Sequence, residues 1–192
     1  MKYLISSIIL FFSSNILFAN DVTIKWPEGQ SAVAWQSSKT MFLVSDSKPV
    51  GINNQVKVAV KVEADSRIIS IEIPIKGFDS GDEARDADVF PILKGDIQPN
   101  LLFTSSPLSS SQWASLMESQ LDELTGMLKI GGKDYPASFK LDKSAPKNLI
   151  LGLMDSTFAS FGLEAPSVAG GIVASVDEEL NLWGRIYKKD LK

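Results

Sequence analysis

Asp79, Asp82, Glu83, Asp86 and Asp88 crowd five carboxylates into one short segment, the first place to look for metal chemistry. Oxygen donors of this kind suit a hard divalent cation. The spacing is not that of a calcium loop, which carries acids at its first, third and fifth positions and glycine at its sixth. Gly81 falls third after Asp79. Acidic side chains meeting the positive end of a helix dipole account for the cluster without a metal. His and Cys are both absent from the chain. That removes imidazole and thiolate ligands, the usual nucleophile–base pairs and thiol redox chemistry. Ser156, Thr157 and the serines at 105–111 supply hydroxyls, but the only base left to activate them would be a lysine, and no lysine is singled out. Gly131-Gly132-Lys133 and Gly170-Gly171 lack the spacing of a phosphate loop and precede no helical pattern, so both read as turns. No catalytic residue and no metal ligand is assigned, no cofactor is implied, and an enzyme is not expected.

The elements that must position the rest are mostly strands. Valines fall on alternate positions in Val56–Glu63, and isoleucines do the same in Ile69–Lys76. Each run therefore has one apolar and one polar face, and the two pair as a hairpin through Ala64–Arg67. Pro74, on the polar face, marks a sheet edge or bulge. Further strands are expected at Val22–Trp26, Ala32–Gln36, Thr40–Val44, Asn100–Ser105, Leu124–Ile130, Tyr135–Leu141, Asn148–Leu153, Thr157–Leu163 and Ile172–Tyr187, the last long enough to bend or split. Gly131-Gly132-Lys133 supplies a tight hairpin connection. Two helices are expected. One runs over 81–89, capped by Ser80 with Glu83 reaching back and stopped by Pro91; the other lies in 110–120, with Trp113, Leu116, Met117 and Leu121 forming an apolar stripe. The order predicts an all-β fold, an antiparallel meander closed as a barrel or folded as a sandwich, without βαβ alternation.

The N-terminus opens on Lys2, continues through an apolar block at Leu4–Phe12 and closes on Leu17-Phe18-Ala19. This is the layout of a secretory signal peptide over 1–19, leaving one domain over 20–192 that is periplasmic or secreted. An uncleaved anchor is the rival reading. Lys2 is the only charged residue of the leader, so removing it reduces 19 basic residues to 18 against 23 acidic ones, a net charge of −5. Such a surface repels a phosphate backbone, and nucleic acid is not an expected partner.

From Ile71 to Asp190 the order of features resembles the YceI-like family. The resemblance rests on Gly81-Asp82-Glu83-Ala84-Arg85-Asp86-Ala87-Asp88-Val89, which is similar to the family's acidic turn with its Arg-Asp pair. It continues through Gln98–Phe103, a proline-led strand ending in phenylalanine, the hairpin Leu124–Lys133, the segment Phe158–Leu163, and the closing strand Val176–Leu182. It implies an exported, lipocalin-like, eight-stranded antiparallel barrel that encloses an isoprenoid or another long apolar lipid such as a quinone. In three places the chain departs from the family: Asp88 stands where a histidine is frequent, Phe158 where an arginine is usual, and the helix at 110–120 is an insertion. If those polar positions hold a charged head group, the ligand here is a different or neutral one.

In such a barrel the rows Val56/Val58/Val60/Val62 and Ile69/Ile71/Ile73/Ile75 point inward. The residues expected to bind the ligand are Phe78, Arg85, Phe103, Phe158 and Phe161, with Phe139 a further wall candidate. Arg85 either meets an anionic head group at the barrel mouth or forms a helix-surface ion pair with Asp82 or Glu83. An apolar lipid is the expected partner, and contact with a membrane or an envelope protein is the other partner class. The alternative to lipid binding is a non-enzymatic interaction module whose barrel is filled by its own side chains.

Overall fold

Period-two alternation builds most of the architecture. The computed structural model describes residues 24–41, 44–168 and 174–192; the expected leader lies outside them. Among the described residues are strands β1 (Ala32–Met41), β2 (Val44–Ser47), β3 (Val50–Asn53), β4 (Lys57–Glu63), β5 (Ser66–Pro74), β6 (Asn100–Ser105), β7 (Leu108–Ser109), β8 (Glu123–Ile130), β9 (Lys133–Leu141), β10 (Leu149–Met154), β11 (Ser167–Val168) and β12 (Ala174–Tyr187). Helices α1 (Glu83–Ile92) and α2 (Ser110–Met117) interrupt the meander. All pairings are antiparallel, and the sheet runs β2-β1-β12-β10-β9-β8-β6-β5-β4, with β3 also on β1, β7 on β5 and β11 on β12. The sheet curls into a half-barrel: Trp35 on β1 and Leu101 on β6, far apart in the strand order, line one hollow. This is the expected all-β, lipocalin-like fold, with nine strands along the sheet path where eight were expected.

The hairpins follow their turn chemistry. Ala64 and Asp65 connect β4 to β5, with Glu63 opposite Ser66. Gly131 and Gly132, at φ 55° and 80°, connect β8 to β9, with Ile130 opposite Lys133. Positive φ at both central residues matches the right-handed twist of the flanking strands, which is why glycine serves there.

Several expectations are corrected. Ile24–Trp26 form no strand, and Val22 and Thr23 lie outside the described residues. Trp26 instead sets its ring 5.3 Å from the Arg185 guanidinium. Thr40 and Met41 finish β1 while Val44 opens β2, and Phe42 and Leu43 lie outside the described residues. Strand β12 runs over Ala174–Tyr187 without splitting, with a register shift against β1 between Ser37 and Lys39, and Ile172 and Val173 lie outside the described residues. Thr157–Leu163 is not a strand: after a single bridge from Thr157 to Glu179 it makes a 3-10 turn at Ala159–Phe161 and ends at Gly162 with φ 58°. The Thr157 hydroxyl accepts from the Ser160 amide at 3.1 Å and the Ser160 hydroxyl from the Thr157 amide at 3.3 Å. These local bonds take the backbone groups a ladder would need.

Helix α1 begins later than expected, whereas α2 begins at Ser110 as expected and ends at Met117. Asp82, not Ser80, caps α1, because the Ser80 amide donates to the Asp86 carboxylate at 3.0 Å. Pro91 sits inside the last turn of α1 and does not stop it; the turn closes through Leu93 N–H to the Val89 carbonyl at 3.0 Å. Helix α2 carries a capping box between Ser109 and Gln112, and its Leu116 is 1% exposed. Lys188, in the C-terminal turn Lys188–Leu191, donates to the Met117 carbonyl at 2.7 Å and the Ser119 hydroxyl at 2.9 Å, fastening that turn to α2.

The isoleucine row is buried throughout, although Ile75 belongs to the 3-10 turn Ile75–Gly77 rather than the strand. The valine row is a correction. Val56, Val58 and Val60 pack only partly on the core, and Val62 is 66% exposed, because β4 ends the sheet path and has no strand on its far side. Lys57 and Lys61 charge the face behind them, which discourages edge-to-edge pairing.

Strand β3 meets the end of β5 and the segment after it without a ladder. Ile52 and Asp79 exchange backbone bonds of 2.8 and 2.9 Å. Asn53, 0% exposed, donates to the Pro74 carbonyl at 2.6 Å and accepts from the Gln55 amide at 2.8 Å. Asn53→Ala removes both bonds, one to the half-buried Pro74 carbonyl and one to the exposed Gln55 amide. It is expected to lower stability in urea by about 1–3 kcal/mol, and a loss within experimental error would show that the seam holds without this side chain.

Candidate functional site

Helix α1 forms one rim of the hollow. Asp82 accepts from the Ala84 and Arg85 amides, both at 3.1 Å, and from Arg85 Nη2 at 3.1 Å. The Arg85 amide is the largest influence holding the Asp82 carboxyl below the usual carboxylate range; desolvation opposes it, and the Arg85 charge, the Ala84 amide and the guanidinium bond add to the lowering. The helix-surface ion pair considered for Arg85 is therefore formed, with Asp82, while Arg85 also faces the hollow. Two other acids of the cluster serve the backbone too: Asp79 accepts from the Gly81 amide and Asp86 from the Ser80 amide. Among the described residues no group of three or more acidic side chains is placed to hold a metal.

Below this rim lies a chamber of about 290 Å³. Val89, Ile92 and Leu93 close it from α1, Trp35 and Leu182 from β1 and β12, and Leu101, Leu128 and Ile130 from β6 and β8. The 3-10 turn that replaced the expected strand delivers Phe158 and Phe161 to the same wall. Phe161 is 1% exposed and meets Tyr135 edge-on, centroids 5.9 Å apart. Lys94, just past α1, donates to the Gly162 carbonyl at 3.1 Å and ties helix to turn. Polar side chains in the lining are few: Ser37, Asp82, Arg85 and Asp88.

A second chamber of about 90 Å³ adjoins it, sharing Phe78, Leu101, Leu128 and Leu182 as walls. Phe103 and Phe139 stand edge to face at 5.4 Å in its lining. Of the five expected residues, Phe78, Arg85, Phe158 and Phe161 line the larger chamber. Phe78 also lines the smaller one, where Phe103 lies. The aromatic count overlooked Trp35 and Leu182, although the alternation Val33, Trp35, Ser37 placed the indole on an inner face. It overlooked Gly152 and Gly184 as well, which carry no side chain to count.

The arrangement can surround an apolar body and hold a polar end at the α1 rim. The capping carboxylate makes the rim pH-sensitive. A carboxyl held low when folded contributes stability that is complete above its unfolded value, near 4, and that disappears as pH falls through the folded value. Asp82→Asn keeps a capping oxygen without the charge. The melting-temperature gap between the native chain and this variant is expected to be constant near neutrality and to close below about pH 3 to 4; a gap that does not change with pH would assign it to the cap geometry alone.

No family model matches the sequence, and no curated protein matches it. Solved structures do. Burkholderia cenocepacia BcnA has 14% identity and a TM-score of 0.52, over 80% of this chain and 94% of that one. A polyisoprenoid-binding domain from Saccharophagus degradans, implicated in plant cell wall breakdown, has 9% identity and a TM-score of 0.51, over 81% and 94%. The Campylobacter jejuni YceI protein has 14% identity and a TM-score of 0.51, over 77% and 88%. At these identities the likeness is one of architecture, and a fold alone does not specify what it binds. The chain has the fold of the YceI proteins.

Proposed function

We propose that this protein is an exported, non-enzymatic carrier that holds an apolar lipid, isoprenoid in character, inside its half-barrel. The observation that carries the reading is the chamber of about 290 Å³ beneath α1, walled by Trp35, Phe78, Leu101, Leu128, Phe158 and Leu182 with its charged groups gathered at one rim. Its volume is at the lower end of small-molecule sites, about 300–1,000 Å³. The fold shared with a polyisoprenoid-binding domain supports the isoprenoid class. Export rests on the N-terminal sequence; among the described residues no helix is long and apolar enough to cross a membrane.

The alternative, an interaction module with a filled barrel, is supported by the α2 end, where Ile69, Leu108 and Leu116 are buried. The α1 end is hollow. The rim favours an uncharged head group: Arg85 is neutralised by Asp82, and Asp88 leaves a negative balance.

The test is lipid extraction and mass spectrometry on protein purified from its native envelope, followed by titration with isoprenols. Recovery of a neutral isoprenoid is expected. Each methylene removed from a tail that fills the chamber should weaken binding about fourfold, from roughly 0.8 kcal/mol of burial. If nothing apolar is recovered and no isoprenol binds, the reading is lost.

A further inference from the structure

Gly152 on β10 lies directly opposite Gly184 on β12, within a ladder running from Leu149↔Tyr187 to Met154↔Leu182 without a register shift. Both glycines line the smaller chamber. A Cβ added to Gly152 would touch Phe139 and Leu141 at 3.2 Å, but one added to Gly184 would meet nothing within 4 Å. Glycine weakens a strand, and in a strand interior it marks a bulge, a bend, or close approach by another backbone or a ligand. The ladder has no bulge here, and no backbone approaches Gly184. A bend of the curled sheet and close approach by a ligand remain, and the open space over Gly184 in the lining of the smaller chamber favours the ligand.

We infer that the Gly152–Gly184 pair forms a tail-tip pocket that measures the ligand's apolar chain and selects a short isoprenoid of about farnesyl length. This rests on the lipid-binding reading above and specifies its substrate. A methylene is close to a water in size, and water occupies about 30 Å³ in the liquid. The larger chamber, about 290 Å³, therefore seats about ten such groups, and the smaller, about 90 Å³, about three more. The tail descends from the α1 rim, passes between Phe78, Leu101, Leu128 and Leu182, and ends in the hollow over Gly184. Phe103 and Phe139 line that hollow, and the core at the α2 end is packed with Leu108 and Leu116.

The experiment titrates the whole chain, without its leader, with geraniol, farnesol, geranylgeraniol and solanesol, and repeats the series on Gly184→Val and Phe139→Ala. In the native chain affinity should rise to farnesol and fall beyond it. Gly184→Val fills the hollow, so its melting temperature without ligand should be held or raised. It should bind farnesol roughly tenfold or more weakly while keeping geraniol within about twofold, a loss of a few methylene contacts. Phe139→Ala opens the wall, and its optimum should move to geranylgeraniol. Affinity that climbs through solanesol in the native chain overturns the length limit while leaving lipid binding intact. So does a Gly184→Val chain that is destabilised or loses geraniol and farnesol alike, because the glycine then serves packing. Failure of every isoprenol to bind overturns the underlying lipid reading, and this inference with it.

Discussion

Everything in this molecule depends on a corner where a curled sheet is held together after its ladder runs out. The strands hydrogen-bond in order from β2 to β4, and β3, carried on β1, reaches the end of β5 and the segment after it without a ladder. One buried amide takes over: Asn53 joins the end of β3 to the Pro74 carbonyl at the end of β5. Gly77 lies so close that a Cβ there would stand 2.8 Å from the Asn53 Oδ1, so the corner needs both residues. A polar side chain with no solvent contact is tolerable only when it is bonded, and Asn53 is bonded at both its nitrogen and its oxygen. Phe78 and Asp79 follow at once, the first lining both chambers and the second pairing with Ile52. Helix α1 begins a few residues later, so its position over the hollow is inherited from this corner.

The curled sheet is packed at one end and hollow at the other, and the asymmetry has an energetic meaning. At about 24 cal/mol per Å³ of unfilled apolar volume, a dry chamber of 290 Å³ would forgo about 7 kcal/mol of packing. Whole domains are stable by about 5–15 kcal/mol. The α2 end, with its capping box, its buried Leu116 and the Lys188 bonds to the end of the helix, supplies cohesion that the α1 end lacks. A cavity of this size in a strand-built core is retained against the general pressure to fill it, and a ligand that enters restores the missing contacts.

How much of this the sequence disclosed depended on whether a residue's role was local. The isoleucine row was legible because alternation is a property of the strand itself, and Ile69, Ile71 and Ile73 are buried as that periodicity required. The valine row carries the same pattern, yet Val62 is exposed, because burial depends on what lies across the edge and periodicity is blind to that. Thr157–Leu163 has strand-like composition, but the paired Thr157 and Ser160 hydroxyls and Gly162 settle its shape locally, and Phe158 and Phe161 reach the chamber by a turn. Phenylalanines could be nominated for the wall by type alone; Trp35 and Leu182 needed the inner face to be known. Gly152 and Gly184 were the least legible, since they matter only when set opposite each other, a relation between distant segments that only the β10–β12 register reveals.

Affinity and selection arise in different parts of such a site. Ten buried methylene-sized groups would contribute about 8 kcal/mol of gross transfer energy, before the cost of association, about 4 kcal/mol or more. The remainder is modest, so a ligand held by contact area alone would exchange rather than stay bound indefinitely. Discrimination has to come from elsewhere, and the chamber offers two places. At the rim, Asp82 occupies the Arg85 guanidinium and Asp88 adds an unbalanced negative charge, so an anionic head would be repelled where a neutral one is tolerated. At the tip, the side-chain-free surface over Gly184 ends within reach of the Phe103–Phe139 pair, and a rigid aromatic wall rejects extra length by steric overlap. Two exclusions at opposite ends of a featureless apolar tube are enough to define a ligand that neither end recognises by a specific bond.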